Sequence, residues 1–166
     1  IVTAVDRSEK RLELFRQNLE RLKLHADIIK ADSLKWKPKE LADIVLLDAP
    51  CSATGTLRRH PDIAHLKTKA DLEKLVDLQS RLLDSAASML KQSGLMVFCT
   101  CSLQDEEGPD QVENFLHRHP EFKLDKIEGW EIFQRENPSG VFRSFPSDSI
   151  EKGGCDGFFA ARLIRC

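Results

Sequence analysis

ADIVLLDAPCSATG, running from Ala42 to Gly55, joins a short apolar run to an abrupt polar stop. Ile44 to Leu47 is apolar and starts with β-branched residues. After it come an acid, a proline, a cysteine and then small residues up to Gly55. This pattern predicts a buried parallel strand that ends in a loop built for close backbone approach. In open α/β sheets ligands sit outside the carboxyl ends of the strands, where Asp48, Pro50 and Cys51 fall. Each of the three is also ordinary loop chemistry, so their weight depends on what a second strand delivers beside them.

Toward the N-terminus, IVTAVD (Ile1 to Asp6) is a β-rich run closed by an acid. Leu12, Phe15, Leu19 and Leu22 then recur at helical spacing and predict an amphipathic helix over Ser8 to Leu24. Asp6 with Glu9 fits a capping box, and an acid at a strand end also suits a ribose hydroxyl. The residues leave both readings open. ADIIKAD (Ala26 to Asp32) is a second strand ending in an acid. Asp32 either accepts from an adenine amino group or caps the following turn, where Trp36 would flank the sheet edge. Three strands, each followed by an acid and a loop or helix, predict an α/β chain with a parallel, doubly wound sheet.

Toward the C-terminus, Arg58, Arg59 and His60 form a basic cluster that Lys67 and Lys69 extend. A solvated surface is the plain reading and phosphate contact the functional one. A long helix is predicted from Asp71, with Leu72, Leu75, Val76, Gln79, Leu82, Leu83, Ala86 and Leu90 on one face and Lys91 and Gly94 ending it. LMVFCTCS (Leu95 to Ser102) predicts a central strand covered on both faces. The acidic turn LQDEEGPD leads into a helix over Asp110 to Arg118. Phe122 to Ile127 reads as an edge strand. Trp130 to Pro146 is irregular, with Phe142 and Phe145 as anchors, and Gly157 to Ile164 is the last strand. No repeat or second domain is evident, so residues 1–166 are expected to form one domain.

At 41% hydrophobic and 31% charged over 166 residues, the chain has the composition of a soluble globular domain with a real core. Its net charge of -2 neither points to nucleic acid nor excludes it. No apolar run reaches membrane-spanning length, and nothing resembles a signal peptide. Five cysteines, an odd number, with three in or just after strand-like runs, predict a reduced, cytoplasmic chain without a disulfide framework. The start at Ile1, in mid-strand and without a methionine, is expected of a piece of a longer protein.

Two strand ends thus present cysteines, Cys51 and Cys101. If the long helix is the crossover between their strands, both thiols share one carboxyl edge. One can serve as a nucleophile, while a second thiol and a carboxylate beside it suit proton handling around a covalent adduct. Cys99 and Cys101 with Cys51 make a weak zinc set, because the spacing is poor and no fourth ligand is evident. No metal is expected, and Cys155 and Cys166 have no assigned role.

DAPCSATG followed by LRRHPDI, then VFCTCSLQDEEG, and finally GCDGFFAARL resemble the Sun/RsmB family of RNA cytosine-5 methyltransferases, in particular its bacterial ribosomal-RNA branch. The resemblance runs across essentially the whole chain. It implies a Rossmann-like S-adenosylmethionine-dependent methyltransferase fold, with a mostly parallel sheet and an antiparallel last strand. It further implies that Cys101 adds to C6 of a flipped cytosine and that Cys51 helps remove the C5 proton and release product. By the same resemblance Asp48 binds the cytosine edge and also borders the cofactor. Asp6 and Asp32 hold the cofactor's ribose and adenine, Pro50 shapes the pocket wall, and Arg58, Arg59 and His60 approach RNA.

The family pattern has an upstream strand, a glycine-rich loop, a lysine beside that loop and an RNA-binding N-terminal domain, none of which lies in these 166 residues. Weak or absent cofactor binding by this chain alone is therefore expected, with self-association of the truncated chain and a monomer at full length. Competing readings are a transfer-RNA cytosine-5 methyltransferase, an exocyclic amino methyltransferase and a non-catalytic RNA-binding fragment.

Overall fold

Two parallel strands and one helix make up residues 1–39, the first of two units in the computed structural model, which describes residues 1–125, 141–148 and 150–166. Thr3–Asp6 (β1) and Asp27–Lys30 (β2) pair in register from Thr3 opposite Asp27 to Asp6 opposite Lys30, and Glu9–Leu22 (α1) connects them. The helix is capped by Ser8, whose hydroxyl accepts the Arg11 N–H at 3.4 Å, and it stops at Lys23 in the left-handed region. This corrects the expected capping box on Asp6. Asp6 lies two residues before the cap, so its carboxylate reaches the Ser8 N–H at 2.7 Å and the Arg11 guanidinium instead.

The second unit, residues 40–166, contains Ala42–Asp48 (β3), Ile63–Leu66 (α2), Lys69–Ala87 (α3), Leu90–Thr100 (β4), Pro109–Arg118 (α4), Phe122–Leu124 (β5), Val141–Ser144 (β6) and Phe158–Arg165 (β7). The strand order is β3-β4-β7-β5, with β6 also paired to β7. β3 and β4 are parallel, while β7 is antiparallel to β4, β5 and β6. Four strands of this sheet therefore run one way and the last alone reverses, as expected. The crossover between β3 and β4 contains α3, which puts the carboxyl ends of the two strands side by side.

The core lies on one face of this sheet. Met96 and Phe98 of β4, Phe159, Ala161 and Leu163 of β7, Leu83 and Ala86 of α3, and Val112 and Phe115 of α4 bury together, with Val45 and Leu47 of β3 against them. The opposite face is different. Ile44 is 64% and Leu46 69% exposed, and Leu95 and Val97 beside them are half-buried. The expectation that β3 is buried is corrected, since among the described residues its second face is exposed; β4 is covered on one face and partly covered on the other, where Cys99 is buried. An all-apolar strand reads as two-sided, but only alternate residues of it meet α3 and α4.

The long helix begins at Lys69, where Thr68 and Asp71 form a reciprocal capping box. It ends at Ala87 rather than near Gly94, because Ala42 draws the chain into the sheet through its N–H to the Met89 carbonyl at 2.8 Å. Leu90 therefore opens β4, and residues 91–94 bulge out where the pairing steps from Ala42–Leu90 to Ile44–Leu95. Ser93 sits at φ 61 in that bulge. A side chain on Gly94 would meet the Lys91 carbonyl at 2.8 Å, so the glycine serves a tight turn and not a helix cap. In β6 Val141 is buried, whereas Phe145 just beyond it is 37% exposed and does not anchor the segment as expected. Ile127 and Trp130 lie outside the described residues.

Candidate active site

The loop after β3 turns back on the end of β4. Ala49 donates its N–H to the Cys99 carbonyl at 3.0 Å, and Gly55 donates to the Cys101 carbonyl at 2.9 Å. Between them Ala53 takes a left-handed conformation, φ 60, before a single 3-10 turn at Thr54–Thr56. The loop closes against the entry to β7: Gly157 donates to the Gly55 carbonyl at 2.8 Å. A Cβ on Gly55 would lie 2.2 Å from the Gly157 oxygen, so only glycine permits this crossing.

That path leaves the Cys51 and Cys101 thiols 3.5 Å apart, both half-buried. Their acidities separate. The hydrogen bond donated by Cys51 is the main cause that lowers Cys101 to about 7; its own backbone N–H helps, while burial and the charges of Asp48 and Glu107 oppose. Cys51 is pushed up by that same bond and by burial. A thiolate on Cys101, hydrogen-bonded by a neutral Cys51, is the arrangement a nucleophile needs. Cys99 differs from both. It is buried, pushed up to about 12 by burial and then by Asp48, and its thiol points to the Leu47 carbonyl at 3.7 Å and to Asp48 Oδ1 at 3.9 Å. All five cysteines are free thiols, and no metal-binding group of three or more ligands occurs among the described residues.

Asp48 ends β3 on the open face of the sheet and is exposed. Pro50 is exposed, and its carbonyl accepts Gln79 Nε2 at 2.8 Å. Arg59 is ion-paired with Asp156, its Nε at 2.7 Å, and Arg58 lies 3.9 Å from the same carboxylate. The pair joins the loop after β3 to the approach to β7, a structural use that the basic cluster did not suggest. His60 is exposed beside them.

In the first unit Asp6 and Asp32 lie at the same end of β1 and β2. Asp6 is held below the usual carboxylate range chiefly by the Arg11 guanidinium. Asp32 Oδ1 accepts the Leu34 N–H at 3.0 Å, the turn-capping alternative, and the residue remains exposed.

Five side chains around the thiols carried no role in the sequence reading. Glu107 and Gln79 are fully buried, and Ser52 and Ser102 nearly so; Thr54 joins their hydroxyl groups. Gln79 was legible as a polar residue inside an apolar helical stripe. Glu107 was hidden in the acidic run of LQDEEGPD, where it looks like any charge ahead of a helix.

The family described as 16S rRNA methyltransferase RsmB/F matches residues 1–164. The Yersinia enterocolitica protein named ribosomal RNA small subunit methyltransferase B is 40% identical over 99% of this chain and 36% of its own length. The Shewanella oneidensis protein of the same name is 40% identical over 98% of this chain and 37% of its own. This chain thus spans just over a third of the length of the curated relatives it matches. Among solved structures, NSun6 from Pyrococcus horikoshii superposes with a TM-score of 0.83 at 27% identity, covering 98% of this chain and 41% of that one. A methyltransferase homologue from the same organism gives 0.78 at 29% identity, covering 100% and 53%. The fold is that of Rossmann-like methyltransferases, and the chain belongs to the RsmB/F family of 16S rRNA methyltransferases.

Proposed function

We propose that residues 1–166 are the methyltransferase domain of an enzyme that methylates C5 of cytosine in RNA, with ribosomal RNA as substrate and Cys101 as the covalent nucleophile. The observation that carries this is the pair of thiols at adjacent strand ends, with the thiolate favoured on Cys101. Cytosine C5 is a poor nucleophile because the ring is aromatic. Addition of the Cys101 sulfur to C6 forms a C–S bond and moves the C5–C6 π electrons toward C5. S-adenosylmethionine, when bound, supplies an electrophilic methyl group. Removal of the C5 proton then restores the double bond and expels Cys101 as a thiolate. Cys51, 3.5 Å from that sulfur, is a neutral thiol while Cys101 is the thiolate; once Cys101 is bonded to carbon, Cys51 gives its proton to solvent, and the thiolate so formed takes the C5 proton and assists product release. Asp48, exposed at the end of β3, accepts from the cytosine edge. The target base must leave its stack to reach these groups, which favours a loop or single-stranded site.

The acids suit the cofactor. Asp6 and Asp32 share one end of a parallel strand pair and offer carboxylates to hydroxyl and amino donors, and Arg11 must share or cede Asp6. Asp48 and Pro50 border the methyl-donor side by the same assignment. Arg58, Arg59 and His60 approach RNA phosphate, Arg59 exchanging or retaining its bond to Asp156.

The test is adduct trapping. With the full-length enzyme, an RNA containing the target cytosine and S-adenosylmethionine, Cys51→Ala is expected to accumulate a protein–RNA adduct that survives denaturation, and Cys51→Ala/Cys101→Ala none. An adduct that persists without Cys101, or methylated RNA bearing the group on its amino nitrogen, overturns the reading.

A further inference from the structure

Glu107 is 0% exposed and, among the described residues, is the only charged side chain in the buried set. A buried carboxylate is costly unless its oxygens are well satisfied. Here they are, and the donors are specific. Ser52 gives its N–H to both oxygens, at 2.9 and 3.1 Å, and its hydroxyl to Oε2. Gln79 Nε2 donates to Oε1 at 3.0 Å and also to the Pro50 carbonyl at 2.8 Å. The residues on both sides of Cys51 are thus clamped by one carboxylate and the amide that binds it.

The same centre holds the other cysteine. Thr100, just before Cys101, donates its hydroxyl to the Glu107 carbonyl at 3.1 Å, and Ser102, just after it, lies 3.2 Å from the Ser52 hydroxyl. Glu107 touches neither thiol through a hydrogen bond among the described residues; its carboxylate holds the Ser52 backbone just after Cys51, and its main-chain carbonyl accepts the Thr100 hydroxyl just before Cys101.

We propose that Glu107 is a positioning residue: its buried carboxylate locks the Pro50–Ser52 segment against the end of β4, so that the Cys51 thiol is aimed at Cys101. The proposal rests on Cys101 being the nucleophile but does not require RNA for its test.

A positioning role and a merely electrostatic one act on Cys101 in opposite directions. The negative charge of Glu107 by itself disfavours a second negative charge on Cys101. Removing that charge with the geometry intact would make Cys101 more acidic. Removing the clamp would free Cys51, withdraw its hydrogen bond and make Cys101 less acidic. The other groups acting on Cys101 are Asp48, which opposes the thiolate, Cys99, which is neutral at physiological pH, and Arg59, whose charge is coupled to it.

The experiment is iodoacetamide alkylation of the folded protein as a function of pH, with each cysteine followed by peptide mass spectrometry. Cys101 in the wild type is expected to titrate near 7. Cys51→Ala should move it toward the ordinary thiol value of ~8.5. Glu107→Gln should move it the same way, and the double variant no further than Cys51→Ala alone. A Glu107→Gln profile that is unchanged or shifted to lower pH overturns the proposal, as does a Cys51→Ala profile that does not move. If circular dichroism shows Glu107→Gln to be unfolded, Ser52→Ala keeps the charge and removes one donor. A smaller upward shift supports the proposal, and no shift overturns it. Adduct formation on RNA is read separately, so either reading can fail while the other stands.

Discussion

Cys99 and Cys101 are two residues apart on one side of the same strand end, yet their chemistry diverges. Cys99 is enclosed, faces a carbonyl and a carboxylate, and stays protonated. Cys101 has stepped past the last sheet pairing and receives a donor. Cys99→Ala should therefore leave the pH profile of Cys101 alkylation unchanged, while Cys101 modification rises between about pH 6 and 8 and then levels, following its thiolate. Asp48→Asn separates acidity from substrate binding. Loss of a neighbouring negative charge should make Cys101 more acidic, so a fall in methyl transfer with the alkylation profile shifted to lower pH would place the defect in the binding of cytosine or cofactor and not at the nucleophile.

The crossing of Gly55 and Gly157 joins the loop after β3 to the entry of β7. Gly55→Ala places a methyl group inside the Gly157 carbonyl and is expected to destabilise by on the order of 3 kcal/mol, read as a lower denaturant midpoint at unchanged slope. Much of this architecture was legible. Apolar runs closed by acids located the strands, and the length of the crossover made β3 and β4 neighbours, which brought Cys51 to Cys101. Burial was less legible, because IVLL and LMVF carry no polar residue to tell a one-sided strand from a two-sided one. The end of α3 was misplaced because Leu90 continues the helical stripe, whereas the backbone bond from Ala42 to Met89 that removes it from the helix has no local signature. The clamp of Glu107, Gln79 and Ser52 joins three segments far apart in sequence, and no local pattern reports such a meeting. Arg59 showed its charge but not its partner, Asp156, which is 97 positions away.

Ile44 and Leu46 present adjacent apolar side chains on the strand that ends the order of the larger sheet among the described residues. Such an edge is a template for pairing. Sedimentation velocity of this chain should show concentration-dependent association that Leu46→Lys reduces. Charge enters separately: with a net charge of -2, the RNA binding proposed above would rest on local cations. Arg58→Ala is expected to lower the salt dependence of RNA binding by about 0.7 in log–log slope if it meets one phosphate of a single strand. The closure of the loop after β3 on Gly157 also sets a schedule. Ribosomes join Cys51 and Cys101 to the chain well before Gly157, which arrives 56 residues after Cys101, a delay of roughly 3 to 11 s at ordinary elongation rates. Chains stalled short of that glycine should carry a Cys101 that titrates as an ordinary thiol in alkylation assays. A nascent polypeptide crowded by other reactive molecules would then expose no activated sulfur until β7 is made.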